Sequence, residues 1–400
     1  MSLHARDIAQ RAQALRNDVA QILSQLVQIP SLSGEEEQVI QALQRLSEPY
    51  ADEVRVDGLG NLLVRIGSGP KILAFDAHID VVDVGDERQW TVPPFSGLIR
   101  DGQVWGRGSV DQKGGAAAMI AALRILREVN YSGPFSVYFT FTIMEEDSDG
   151  QCWLYLIEEE GFRPHAVVIT EPTNLGVYRG HRGRMEFDLY FRGRSAHASE
   201  PERGVNALLK AAQAALAVAE LHLRLREDPF LGKGSIAPTH IASSSPSLCA
   251  IPDRCHLHLD RRLTWGETKE SALRELEQIL PPDTEIVIPV YDRPSYKGTV
   301  FVREKYYPTW KLPETHPLVQ AGRTAYQELF GAPARLGRWT FSTNGVAIAG
   351  RHGIPTIGFG PGNEERAHAP DEAVPIDHLV KATAFYAWFP FVLERWIHKI

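Results

Sequence analysis

The chain has 400 residues, 44% of them hydrophobic and 23% charged, which excludes a disordered chain and leaves enough apolar surface for two domains with a sizeable core. Its formal net charge of -8 argues against nucleic acid and membrane partners, which select Lys/Arg-rich faces, and leaves acids over for a cation site. Three cysteines, Cys152, Cys249 and Cys255, with no CxxC and no close Cys/His pairing, point to free thiols in a reducing, cytoplasmic setting.

The first stretch, MSLHARDIAQRAQALRNDVAQILSQLVQI, has apolar residues at helical spacing interrupted by charges and amides, the pattern of a surface helix and not of a signal peptide. No run of about 18 apolar residues follows anywhere, so no membrane span is expected. Ser33 with Glu36 three residues on predicts a capping box opening the helix EEEQVIQALQRL. Short strands EVRVD and NLLVRIG then precede KILAFDAHID, a buried-strand pattern that puts His78 and Asp80 at a carboxyl end. Residues two apart on a strand share a face, so Asp80 either approaches whatever His78 binds or holds the imidazole in one tautomer. QWTVPPFSGLIRDGQVWGRG reads as an ordered loop leading to SVDQKGGAAAMIAALRILREV, where Asp111 stands just before a small-residue helix opening at Gly114. Strand FSVYFTFTI ends in MEEDSDG, bringing Glu145 and Glu146 to a second strand end, and after helix QCWLYLIEEEG the strand HAVVIT brings Glu171 to a third.

Composition changes near residue 180. GHRGRMEFDLYFRGRSAH alternates like an antiparallel strand with one wet face, GVNALLKAAQAALAVAELHLRLRE is a long helix, and after a Ser/Pro loop CHLHLDRRL, ETKESALRELEQIL and TEIVIPVY read as strand, helix and strand. The expected architecture is α/β, a central and mostly parallel sheet flanked by helices over residues 1–180 and 312–400, with residues 181–311 inserted as a small α+β domain. An insert is preferred to two tandem domains because RAHAPDE, near the end, supplies one further ligand candidate, His368.

Open α/β sheets gather their site residues at strand carboxyl ends. His78, Glu145, Glu146 and Glu171 fall at such ends, and with Asp111 at a loop-to-helix junction and His368 in the last segment the candidates are two imidazoles and four carboxylates. Zinc takes this mixture of N and O donors, whereas calcium takes oxygen alone and structural zinc usually shows cysteine. The acids exceed what one zinc uses, and two metals sharing a carboxylate use them better. In the pair Glu145-Glu146 one residue can ligate while its neighbour accepts a proton. Read singly, Glu145-Glu146-Asp147 is also the composition of a solvated acidic turn, and His240, His256 and His258 are read as core or strand-face histidines, not ligands.

The motifs HID at His78 to Asp80, SVDQKGG at Asp111, EE at Glu145 and Glu146, EPT at Glu171, RSAHAS at His197, LDRRL with GE around Arg262, GPG at Gly360 to Gly362 and AHAPDE at His368 span most of the chain. Together they resemble the co-catalytic zinc metallopeptidase family of succinyl-diaminopimelate desuccinylase, acetylornithine deacetylase, aminoacylase and glutamate carboxypeptidases. The resemblance implies two zinc ions per chain, with Co2+ or Mn2+ as substitutes: His78 and Glu171 on one, Glu146 and His368 on the other, Asp111 bridging them. It further implies Asp80 orienting His78, Glu145 as general base, a non-proline cis peptide at Asp111-Gln112, His197 as an oxyanion donor on a mobile lid, Arg262 receiving a substrate carboxylate, and a homodimer formed through the insert. The alternative for Arg262 is an ion pair with Asp260 or Glu267.

Three positions depart from the family's usual residues: Cys249 stands where relatives carry Asn, Trp265 where they carry Pro, and Asn344, in FSTNG, within a segment that shapes the substrate pocket. PSLCAIPD and WTFSTNG are most similar to the family's selenium-metabolism-linked hydrolase branch. Glu rather than Asp at position 171 resembles the deacylase and carboxypeptidase side of the family, which implies action on an N-acyl amino acid or small peptide with a free carboxylate. A dipeptidase or aminopeptidase on the same site, and a catalytically silent metal-binding or assembly protein, are the alternatives.

Overall fold

The computed structural model describes residues 3–396 and 398. Bulky and β-branched runs that suit a pleat buried on both faces give the inner strands of an eight-stranded sheet. Phe135–Thr142, Lys71–His78, Ala166–Ile169 and Thr356–Gly358 lie side by side and parallel at its centre. Glu53–Val56 and Leu62–Ile66 extend it antiparallel on one side. The register sets His78 beside Thr142 and Asp76 beside Ile169, so the segments that follow these strands leave the sheet as neighbours.

The helix Lys113–Glu128 packs beside the closing helix Ile376–Glu394. The closing helix is apolar on nearly every side, with Phe385, Tyr386 and Phe389 fully buried, as expected of a helix enclosed between other elements. At Gly115 a Cβ would stand 2.2 Å from Thr170 Oγ1, so the small residues of the first helix let it close directly on the sheet's carboxyl edge.

A second buried cluster, including Met185, Phe187, Leu189, Leu257 and Leu259, lies under a separate antiparallel sheet. Its order is Ser235–Ser244, Arg254–Leu263, Gly183–Arg192, Glu285–Val287, with Tyr306–Tyr307 pairing Gly183–Arg192. The helices Ala207–Arg224 and Lys269–Glu277 bury their apolar sides in the same cluster. The chain enters and leaves this unit along a two-stranded ribbon, Gly180–His181 against Trp310–Lys311.

Three local expectations are corrected. The Ser33/Glu36 capping box does not form: the helix begins at Glu37 without a side-chain cap, because Ser33 Oγ donates to Asp80 and Glu36 accepts from the Met144 N–H. The segment read as a loop contains a hairpin, Leu98–Arg100 and Gln103–Trp105, turned by Asp101-Gly102 with both φ positive, and Ala373–Pro375 adds a third strand. The Ser/Pro stretch holds the edge strand Ser235–Ser244, irregular between Pro238 and His240; proline cannot donate to a ladder and is tolerated at such an edge.

Candidate metal centre

The strand ends converge. His78 Nε2 lies 2.9 Å from Asp111 Oδ1 and 3.4 Å from Glu171 Oε1. The other oxygen of Asp111, Oδ2, is 3.3 Å from His368 Nε2, which stands 2.9 Å from Glu146 Oε2. One carboxylate thus spans two imidazoles, each with a further glutamate beside it. Glu145 Oε2 is 4.0 Å from His78 Nε2. Behind them, His78 Nδ1 is 3.0 Å from the Asp80 carbonyl and 3.4 Å from its carboxylate. The Asp80 carboxylate accepts from the Glu145 and Glu146 N–H groups and from Ser33 Oγ, so it fixes the glutamate pair as well as the imidazole.

Both ends of the Asp111 loop are held. The bond between Asp111 and Gln112 is cis, as the family resemblance implied. Glu372, fully buried, accepts from the N–H groups of Gly108, Val110 and Asp111 and from Arg107 Nη1 at 2.7 Å. Sequence reasoning missed Glu372; the signal was the PDE that follows His368 together with the Asp-Gly turn, which builds the three-stranded ribbon that delivers it.

Electrostatics define what the cluster lacks. Burial, then the Asp111 charge, pushes Glu171 up to about 8 and Glu146 up to about 7. Burial drives Glu145 well above the usual carboxylate range, with Asp149, Glu171 and Glu146 adding to the effect against the opposing pull of His78. Hydrogen bonds to Asp111 and Glu146 push His368 up to about 10. Burial resists ionisation of Asp111, but hydrogen bonds from His368 and His78 outweigh it and hold that carboxyl below its ordinary range. Glu145 Oε1 and Glu171 Oε2 are buried without a hydrogen-bond partner among the described residues. Four buried acids against two imidazoles, with lone pairs unused, is a donor set short of positive charge, and divalent cations with N and O preference fit it. Two overlapping ligand groups, His78/Asp111/Glu146 and His78/Glu145/Glu171, have donor atoms within 4.8 Å of one another.

Asp111, Glu145, Glu146, Glu171 and His368 line a cavity of about 300 Å³ together with Arg184, Arg262 and Phe341. Arg262 borders the cavity and is held by Asp260 through bonds of 2.8 and 3.1 Å, while Glu267 pairs instead with Arg261. His197 is exposed on the insert and does not line the cavity. Asn344 requires a correction: it is 1% exposed, its amide donating to Asp76 and Thr142 and accepting from the Gly150 N–H, so it ties the sheet to neighbouring loops and has no face left for substrate. Cys249 is exposed on the insert, and Trp265 stacks against Lys311.

A cation-demanding pocket at the carboxyl edge of a parallel sheet, with a buried acid left over beside it, defines a metal-dependent hydrolase of peptide or amide bonds. The chain belongs to the peptidase family M20/M25/M40, whose sequence model matches residues 74–389. "Uncharacterized protein YgeY" of Escherichia coli (strain K12) is 45% identical over 387 residues, 96% of each chain. Among solved structures, the aminopeptidase PepT from Bacillus cereus ATCC 10987 superposes with a TM-score of 0.73 at 20% identity, over 94% of this chain and 99% of that one. The metallo-carboxypeptidase Sso-CP2 from Sulfolobus solfataricus gives 0.72 at 16%, over 93% and 98%. YXEP of Bacillus subtilis, described as a dinuclear metal binding peptidase, gives 0.69 at 14%, over 96% and 99%. Among the described residues no helix is long and apolar enough to cross a membrane.

Proposed function

We propose that this enzyme uses two zinc ions to cleave the amide bond of an N-acyl amino acid or small peptide bearing a free carboxylate. The observation that carries the reading is the Asp111 carboxylate, one oxygen toward His78 and the other toward His368, beneath a cavity walled by Arg262. His78 and Glu171 would hold one ion, Glu146 and His368 the other, and Asp111 both; Co2+ or Mn2+ are chemically acceptable substitutes. When bound, such cations acidify water and polarise a carbonyl.

The chain's own residues supply the rest. Glu145, desolvated and beside the ligands, takes the proton of the attacking water and returns it to the leaving nitrogen. Arg262, pre-set by Asp260, presents a planar fork to the substrate carboxylate. At His197 the Ser199 N–H donates to Nδ1, so the neutral ring carries its proton on Nε2, ready to donate to a developing oxyanion. Reaching the cavity requires residues 181–311 to swing about the ribbon at 180–181 and 310–311, or a second subunit's insert to approach. That insert also offers a homodimer surface: the edge strand Ser235–Ser244 is exposed along most of its length, and Leu209, Leu216 and Leu223, one heptad apart on the adjoining helix, are 60%, 70% and 72% exposed. Three free thiols are in keeping with a reducing, cytoplasmic setting.

The test is Glu145→Gln on the zinc-loaded protein, assayed against a panel of N-acyl amino acids and dipeptides with metal counted in parallel. Turnover should fall by about 10²–10⁴-fold with two zinc ions per chain retained. Full activity in the variant, or loss of its metal, would remove Glu145 from the role of base.

A further inference from the structure

The outer face of the inserted sheet carries a second cluster of side chains of metal-ligating type, none of which lines the cavity. His256 and His258 alternate on Arg254–Leu263, so both rings project to one side. The antiparallel register sets Asp188 directly across from His258 on one flank and His240 across from it on the other. Asp188 Oδ1 lies 2.7 Å from His256 Nε2 and 2.8 Å from His258 Nδ1, and the three donor atoms fall within 4.8 Å of one another. The His240 ring centroid is 5.9 Å from that of His256.

We propose that Asp188, His256 and His258 form a mononuclear site for a borderline divalent cation of the zinc class, with His240 or water as fourth ligand. Two further observations separate this cluster from an ordinary ion pair. First, the ring nitrogen of His258 that faces away from Asp188 lies 3.6 Å from Glu186 Oε2, longer than a hydrogen bond but closable by a small ring rotation, and Glu186 is itself anchored by Arg184 and Lys305; a carboxylate on that side is where metal-bound imidazoles characteristically find support. Second, the cluster is half-shielded yet reachable, its side chains 17–30% exposed, and His256 borders a cavity of about 490 Å³ open along the same face. Zinc–ligand bonds of about 2.0–2.1 Å in a tetrahedron separate donors by about 3.3 Å, so the rings need to open from Asp188 by only about half an ångström. The cation would pin two, and through His240 three, strands of the insert. None of these ligands lines the catalytic cavity or belongs to its ligand set, so the ion would be counted in addition to those the catalytic ligands take.

The experiment is equilibrium dialysis of the full-length protein against buffered free Zn2+, with metal counted per chain, for wild type and the double variant His256→Gln/His258→Gln. The wild type should hold one more Zn2+ per chain than the variant, and Co2+ in place of Zn2+ should lose one equivalent's visible absorption in the variant. Equal counts in two folded proteins would overturn the site. Should the double variant fail to fold, Asp188→Asn decides: its Zn2+ affinity at this site must drop at least about 10-fold, and an unchanged affinity overturns the proposal equally. The wild type gives an independent reading through ring nitrogen resonances, since those of His256 and His258 must shift as Zn2+ is added and a pair that stays still excludes ligation.

Discussion

At the scale of single residues, His181 is the clearest titration device outside the metal pocket. Its ring is fully buried at the ribbon between the two units; Nδ1 donates to the Arg182 carbonyl, while Nε2 accepts from Trp310 Nε1 and the Thr343 N–H. Burial pushes it down to about 4 from its ordinary 6.5. Because the folded value is the lower one, the unfolded chain binds the extra proton between pH 6.5 and 4 and stability falls as pH drops through that window. The contribution, intact above 6.5, is about 3 kcal/mol. Urea midpoints measured from pH 7 to 4 should slope less steeply in His181→Gln than in wild type; parallel profiles would show that another group sets the slope. Arg262→Ala belongs to the same scale: KM for carboxylate-bearing substrates should rise by about 10-fold or more, as loss of one charge-assisted bidentate contact of roughly 1.5–3 kcal/mol requires, with amidated substrates unaffected. A KM that stays constant for both would take Arg262 out of substrate recognition.

Among elements, the loop from Gly106 to Gln112 depends on Glu372, which stands just before the strand Ala373–Pro375. Glu372→Gln leaves Arg107, 2% exposed, without its counter-charge. The expected result is a loss of about 3–5 kcal/mol in stability and a 10- to 100-fold loss in metal affinity through a misplaced Asp111; wild-type melting and metal content would show that the loop holds itself. This element also marks where sequence reading stops. His78, Glu145, Glu146 and Glu171 were legible because each follows an apolar run that can only be an inner strand, and the strands' parallel order then makes their ends neighbours. Glu372 and Ser33 were not, since their partners are backbone N–H groups and a buried Asp80, which have no periodic signature. Ser235–Ser244 escaped because an edge strand buries almost nothing, so its Ser and Pro content looks like a loop. Asn344 was misassigned for the opposite reason: a polar residue in a substrate-shaping segment reads as a contact, whereas Asp76, Thr142, the Gly150 N–H and the Cys152 thiol consume its hydrogen bonds.

For the molecule as a whole, the insert's exposed edge and its Leu209, Leu216 and Leu223 stripe predict association. Leu216→Glu, at a position 70% exposed in the single chain, should leave the fold intact and shift the sedimenting species from dimer to monomer. A wild-type protein that sediments as a monomer at micromolar concentration would refute the dimer outright. The same variant reports on His197: if a neighbouring subunit supplies that ring, hydrolysis falls with dissociation, and if the ring acts within its own chain, specific activity is unchanged.

On the proposed ligand set, the donors are spread from His78 to His368, and the last of them lies in the left-handed region at φ 60 on a loop after the final sheet strand. A nascent polypeptide still missing its last tenth therefore carries one imidazole and a knot of uncompensated acids. With His78, Asp111 and Glu171 in place one ion would already find its ligands, whereas the other would wait for His368, so a polypeptide cut short ahead of residue 368 is expected to keep one cation position and lose its neighbour.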